Sequence, residues 1–198
     1  LRNVIRNKDD IMEIDKTDII EYLSIKYSYS PWIIKKWIGD FGQDFAEDLL
    51  EANSEKPKLY IRVNTLKTSR DELIEKLSKQ GIECRKVNGI EEAIQVQNLK
   101  SIENNKFFKE GYFTVQDISS MLVGKVLNPE ENKLILDICS APGGKTTHVA
   151  TIMKNSGKVV ARDVFDHKLK LINQTVKRLG LKNVKVEDGD ALKLDQDS

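Results

Sequence analysis

The stretch Leu134-Ile-Leu-Asp-Ile-Cys-Ser-Ala-Pro-Gly-Gly-Lys-Thr-Thr147 constrains the fold more than any other part of the chain. An apolar strand runs into a turn with two consecutive glycines and then into a helix. In open α/β sheets the ligand crevice lies at such carboxyl ends of strands. Gly143 and Gly144 carry no side chain, so backbone can come close to a ligand. The helix that begins there offers free N–H donors suited to a carboxylate or another anion.

Three readings compete for this turn. A phosphate-binding P-loop has Gly-Lys-Thr at 144–146 in its favour, but needs a glycine where Cys139 stands. A dinucleotide fold needs Gly-x-Gly-x-x-Gly, which the turn lacks. The residues that follow favour a nucleoside-cofactor methyltransferase. Asp163 ends the next strand, twenty residues after Gly143, where a carboxylate accepts from both ribose hydroxyls. Asp190, in Gly189-Asp-Ala191 after the third strand, is placed to accept from the exocyclic amine of adenine.

From Gly111 onward strands and helices alternate. Strands are predicted at 112–115, 134–138, 158–162 and 184–187, and helices at 116–127, 144–154 and 166–179. This order implies a parallel sheet with crossover helices. In the last helix Leu169, Ile172, Val176 and Leu179 share one face, and Gly180 is the stop.

Upstream, Thr17 is expected to cap a helix burying Ile19, Ile20 and Leu23. Ser30-Pro31 opens another, which Gly39 and Gly42 break. A third stacks Phe45 on Leu49 and Ala46 on Leu50. Trp32 and Trp37 are read as core anchors rather than a base-stacking platform. Leu59-Tyr-Ile-Arg-Val63 alternates at period two, with Leu59, Ile61 and Val63 on one face and Tyr60, Arg62 and Asn64 on the other. The second face can meet RNA by stacking and hydrogen bonding, or pack on a neighbouring domain. Ser69-x-x-Glu72 is a capping box for a helix closed by Gly81. Strands near 82–87 and 94–96 complete a small α+β module, and residues 98–111 read as a linker.

Composition excludes little. The 198 residues are 39% hydrophobic and 32% charged, with net charge +1. There are 8 basic against 12 acidic side chains in 1–56, 11 against 8 in 57–110 and 13 against 11 in 111–198, so a nucleic-acid contact belongs after residue 56. No apolar run is long enough for a membrane span. Cys84 and Cys139 have neither metal-ligand nor disulfide-framework spacing, so no metal is expected and both thiols read as free in a cytoplasmic protein.

Asp-Ile-Cys-Ser-Ala-Pro-Gly-Gly-Lys-Thr-Thr-His, residues 137–148, resembles the cofactor motif of the RNA 5-methylcytosine methyltransferases. Gly111-Tyr-Phe-Thr-Val-Gln-Asp-Ile-Ser-Ser120 resembles the segment before it in that family, and Tyr60–Lys67 the strand that opens the family's RNA-binding module. Ser30-Pro-Trp32 fits the helical lead-in. Leu1-Arg-Asn-Val-Ile-Arg-Asn7 is similar to the last helix of the NusB-like domain in the family's bacterial ribosomal RNA branch. The resemblance covers nearly the whole chain.

The resemblance implies a Rossmann-like α/β half-domain dependent on S-adenosylmethionine at 111–198. Before it come a helical plus α+β RNA-binding module at 17–110 and a NusB-like remnant with linker at 1–16. Cys139, Ser140, Ala141, Pro142, Gly143, Gly144 and Lys145 would line the S-adenosylmethionine site, with Asp163 at the ribose and Asp190 at the adenine. Lys145 would face the methionine carboxylate or cap neighbouring structure. Arg162 stands where the family has a small or apolar residue. The implied partner is RNA and the implied reaction is methylation of cytosine C5; the NusB-like lead-in favours ribosomal RNA, with transfer RNA as the alternative substrate. A non-catalytic RNA-binding or assembly module on the same fold is the competing class.

In the family two cysteines, in Pro-Cys and Thr-Cys contexts after the third and fourth strands, do the covalent chemistry. The chain ends at Ser198 before either, so neither Cys84 nor Cys139 is expected to be the nucleophile. The 198 residues alone are expected to be inactive and prone to self-association along the exposed edge of the first sheet strand.

Overall fold

The structure is a computed structural model that describes residues 15–193. The proposed NusB-like remnant at Leu1–Asn7 lies outside the described residues. The chain divides between Pro57 and Lys58 into two compact units.

The first unit holds three helices, α1 (Ile19–Tyr27), α2 (Pro31–Phe41) and α3 (Gln43–Ser54). Asp18, not Thr17, caps α1, because its carboxylate reaches the N–H groups of Ile20 and Glu21. Pro31 opens α2 as expected, but Ser30 contributes no side-chain bond. Gly39 is absorbed within α2, and only Gly42, at φ +85°, ends it. Leu23, Ile34 and Leu50 form the core, with Trp37 packed against them and tilted on Tyr29 at 5.5 Å. Trp32 is 68% exposed and is no core anchor. It sits in the first turn of α2 and is not among the residues packed on the Leu23–Ile34–Leu50 cluster.

The second unit carries two sheets. The first arises from β1 (Leu59–Val63), α4 (Arg70–Ser78), β2 (Glu83–Lys86), β3 (Ala93–Gln97), α5 (Lys106–Lys109) and β4 (Phe113–Val115). Its order is β2-β3-β1-β4 with every pair antiparallel. This is the split β-α-β-β-α-β arrangement of ferredoxin-like folds. The Ser69/Glu72 capping box forms as read. Ile61, Val63, Leu73, Leu77, Ile94 and Phe113 are buried between the sheet and α4.

Two expectations fail here. The strand at 112–115 does not begin the parallel sheet: Val63 pairs with Phe113 and Ile61 with Val115. Residues 98–111 are not a linker either, since Leu99, Ile102, Phe107 and Phe108 pack on this core. The boundary at Gly111 therefore runs through a folded unit.

The second sheet comprises β5 (Leu134–Asp137), β6 (Lys158–Asp163) and β7 (Val184–Asp188), parallel and in that order. Helices α6 (Ile118–Leu127), α7 (Gly144–Ile152) and α8 (Asp166–Leu179) alternate with the strands. Ile172, Val176 and Leu179 of α8 pack with Val149 and Met153 against Val159 and Ala161 of β6. Gly180, at φ +76°, ends α8 in the left-handed conformation. Among the described residues β5 has a partner strand on one side only, and Leu134, Leu136 and Ile138 are exposed along it.

Candidate functional site

The carboxyl ends of β5, β6 and β7 carry the residues singled out above. Asp137, closing β5, accepts from Thr146 Oγ1 at 2.6 Å and from Cys139 N at 3.4 Å. Ser140 donates both its N–H and its hydroxyl to the Arg162 carbonyl, at 3.0 and 2.8 Å. Ala141 N donates to Asp163 Oδ2 at 3.2 Å, and Val164 N to Asp163 Oδ1 at 3.0 Å. The glycine turn is thus bolted to the tips of two strands.

Gly143 serves as N-cap of α7 at φ +97°, a left-handed conformation that favours glycine. No side chain caps this helix. The N–H groups of its first turn are left for solvent or a ligand. Beside them lies a cavity of about 220 Å³, lined by Cys139, Ser140, Ala141, Pro142, Gly144 and Lys145 and, across from them, Gln116 and Asp117.

Of the residues predicted to bind the cofactor, Gly143, Asp163 and Asp190 do not line this cavity. Asp163 is 4% exposed and braces the turn. Burial pushes its carboxyl up, but the bonds from Ala141 and Val164 and the Lys168 ammonium at 3.5 Å outweigh that, so its pKa lies below the ordinary value. Gly189 N donates to the Asp163 carbonyl, which puts Asp190 at the adjoining strand tip, where it accepts from Leu192 N. Arg162 pairs with Glu187 on β7 at 2.8 Å.

The proposed RNA-contacting face of β1 is instead internal. Arg62, 2% exposed, donates to Gln116 Oε1, to the Gly144 carbonyl at 2.7 Å and to Thr147 Oγ1 at 3.0 Å. Asn64, 3% exposed, donates to the carbonyls of Gly111 and Leu179. Tyr60 packs toward Ile90, Ala93 and Met121. Alternation correctly separates two faces, but the second is covered by α6, α7 and the end of α8. It is the packing alternative, not the RNA surface, that the fold realises.

Three residues went unassigned in the sequence reading. Gln116 follows β4 directly and stands over the glycine turn. Lys168 pairs with Asp163. Arg178 donates to the carbonyls of Phe108 and Phe113, with its guanidinium 3.8 Å from the Phe108 ring. Gln116 lies within the Gly111–Ser120 motif, whereas nothing local in the sequence marks the other two. Cys139 is exposed in the turn, whereas Cys84 bonds weakly to the Ile82 carbonyl and burial raises its pKa. Among the described residues no cluster of three or more His, Cys, Asp or Glu is placed to hold a metal, and no helix is long and apolar enough to cross a membrane.

A parallel sheet with an uncapped glycine turn and acidic strand tips, joined to a ferredoxin-like module, has the fold of the S-adenosylmethionine-dependent methyltransferases. Residues 124–198 match the family model of the 16S rRNA methyltransferase RsmB/F, and residues 29–103 that of the RsmF/B-like ferredoxin-like domain. The chain belongs to this RsmB/F family. It is 38% identical over 177 residues to the probable ribosomal RNA small subunit methyltransferase B of Bacillus subtilis, covering 89% of this chain and 39% of that protein. It is 39% identical over 116 residues to a tRNA (cytosine(72)-C(5))-methyltransferase of Pyrococcus horikoshii, covering 59% of this chain and 30% of that protein. A solved methyltransferase homologue from Pyrococcus horikoshii superposes with TM-score 0.79 at 28% identity, over 89% of this chain and 58% of its own. The chain spans about two fifths of the length of the B-type relatives it matches.

Proposed function

We propose that this chain supplies the cofactor-binding part of an enzyme that methylates cytosine C5 in RNA, with ribosomal RNA as substrate and S-adenosylmethionine as methyl donor. The observation that carries the reading is the bond from Ala141 N to Asp163 Oδ2, which ties the glycine turn to a strand-tip carboxylate.

The residues present suit such a cofactor. The bare start of α7 and the ammonium of Lys145 offer positive ends to a carboxylate. Asp163, kept ionised, has lone pairs left over from its two backbone bonds with which to accept from ribose hydroxyls. Asp190, at the next strand tip, is the acceptor for the adenine amine. When bound, the cofactor supplies an electrophilic methyl group. The chain's own residues orient it and hold its charged ends, and none of the described residues is assigned as nucleophile. A ribosomal RNA substrate places the work in the cytoplasm.

Calorimetric titration with S-adenosylmethionine tests the site. The wild-type chain should bind, and Asp163→Ala and Asp190→Ala should each weaken binding about tenfold, the loss of about 1.4 kcal/mol. Equal affinity in all three proteins would overturn the placement. Transfer RNA is the second reading for the substrate, favoured by the archaeal relative named for it. Methylation assays of the whole protein on 16S ribosomal RNA and on transfer RNA transcripts decide between them.

A further inference from the structure

Three buried side-chain polar atoms among the described residues lack a hydrogen-bond partner: Gln116 Nε2, His148 Nδ1 and Asn183 Oδ1. Two have simple accounts. His148 Nδ1 is the bare nitrogen of a neutral ring that bonds Glu92 through Nε2. Asn183 Oδ1 is a lone acceptor on an amide whose nitrogen is bonded to the carbonyls of Ala150 and Ser156. Gln116 Nε2 is different, because it is an amide donor beside a cavity.

Its orientation follows from its neighbour. Arg62 has only donors, so the end of the Gln116 carboxamide that meets Arg62 Nη1 must be the oxygen. The nitrogen is thereby turned toward the glycine turn: a Cβ built on Gly144 would lie 3.8 Å from it. Gln116 is 6% exposed and lines the 220 Å³ cavity together with Pro142, Gly144 and Lys145. The same cavity receives the uncapped start of α7. A buried amide donor with no hydrogen-bond partner thus stands beside a cavity that the uncapped start of α7 and Lys145 also line.

We propose that Gln116, held by Arg62, is a specificity-determining residue that donates from Nε2 to the carboxylate at the amino-acid end of the cofactor. The inference rests on the cofactor reading above and extends it to a side chain contributed by the strand–helix junction of the ferredoxin-like module. Arg62 is the positioning residue: it fixes which face of the amide the ligand meets.

The test compares S-adenosylhomocysteine with 5′-methylthioadenosine, which keeps the adenosyl thioether and lacks the amino-acid end. Equilibrium binding of both is measured to wild type, Gln116→Leu and Gln116→Glu, with a thermal melt of each protein. Gln116→Glu keeps an acceptor for Arg62, and so keeps the packing, while setting a carboxylate against a carboxylate. The wild type should prefer S-adenosylhomocysteine. Both variants should lose about tenfold or more of that affinity, with 5′-methylthioadenosine unchanged. An unaltered ratio of the two affinities in a folded Gln116→Glu protein overturns the inference and leaves the cofactor reading standing. Failure of the folded wild type to bind either compound overturns both.

Discussion

Arg62 Nη1 donates to the carbonyl of Gly144 over 2.7 Å, tying the central β1 strand of the antiparallel sheet to the first residue of the helix behind the glycine turn. Burial pulls the guanidinium's pKa down and Glu92 pushes it back up; the same side chain also reaches Gln116 and Thr147. Arg62→Met should therefore cost about 3 kcal/mol or more, because it strands several buried acceptors at once. Arg62→Lys should not restore the loss, since an ammonium lacks the planar fork that spans them. Urea denaturation of the three proteins measures this, and full stability in Arg62→Lys would contradict it.

The His148–Glu92 bond, 2.7 Å long and with the ring 1% exposed, sets an acid sensitivity. Burial holds His148 below its ordinary 6.5, and Glu92 offsets this only partly. The His148 bond holds Glu92 below 4.5 against the opposing effect of burial. An unfolded chain takes up a proton at His148 near pH 6.5, and the folded one only at lower pH. The stabilisation is thus complete above about 6.5 and declines as pH falls below it, with a further loss from Glu92 below 4.5. In His148→Gln the denaturation midpoint should vary less between pH 6.5 and 5. The same slope in both proteins would show that the pair does not govern it.

Gly111 and Gly81 have nearly the same φ, +73° and +75°, in different surroundings. A Cβ on Gly111 would collide with the backbone carbonyl of Arg178, whereas one on Gly81 meets nothing within 4 Å. Gly111→Ala should cost about 2 kcal/mol or more, and Gly81→Ala about 1 kcal/mol from backbone strain alone. Paired thermal melts read the difference.

Among the described residues β5 has one unpaired edge, and the chain should self-associate there as its concentration rises. Leu134 and Leu136 lie along that edge, and Val126 of α6 is 84% exposed. Sedimentation velocity should show a concentration-dependent shift that Leu134→Lys with Leu136→Lys removes. A monomer at every concentration counts against it.

Much of the second half was legible in the sequence because its signals are local. The period of Ile172, Val176 and Leu179, with Gly180 behind them, marks α8 to the residue, and the glycine turn marks the start of α7. What escaped was non-local. Phe113–Val115 is three residues long, and nothing within it says whether it will pair with β1 or open a parallel sheet. Phe107 and Phe108 read as loop because α5 is a single turn, too short to show a period. Asp163 could be placed at a strand tip, but its bond to Ala141, 22 positions away, could not be read. The same limit hid the role of Arg62: alternation turned it away from one core without showing that another would receive it.

The pairing of β4 with β1 bears on how genes of this family can be recombined. Asn64 bonds to the carbonyls of Gly111 and Leu179, and Lys67 to those of Glu110 and Arg178, so each stitches together segments on both sides of the old boundary. A chimaera joined at 110/111 would mate one parent's strand with another's sheet and leave the bonds of Asn64 to Gly111 and Leu179 and of Lys67 to Arg178 to mismatched partners. A crossover placed between Pro57 and Lys58 would exchange the whole interlocked block and leave its seams intact.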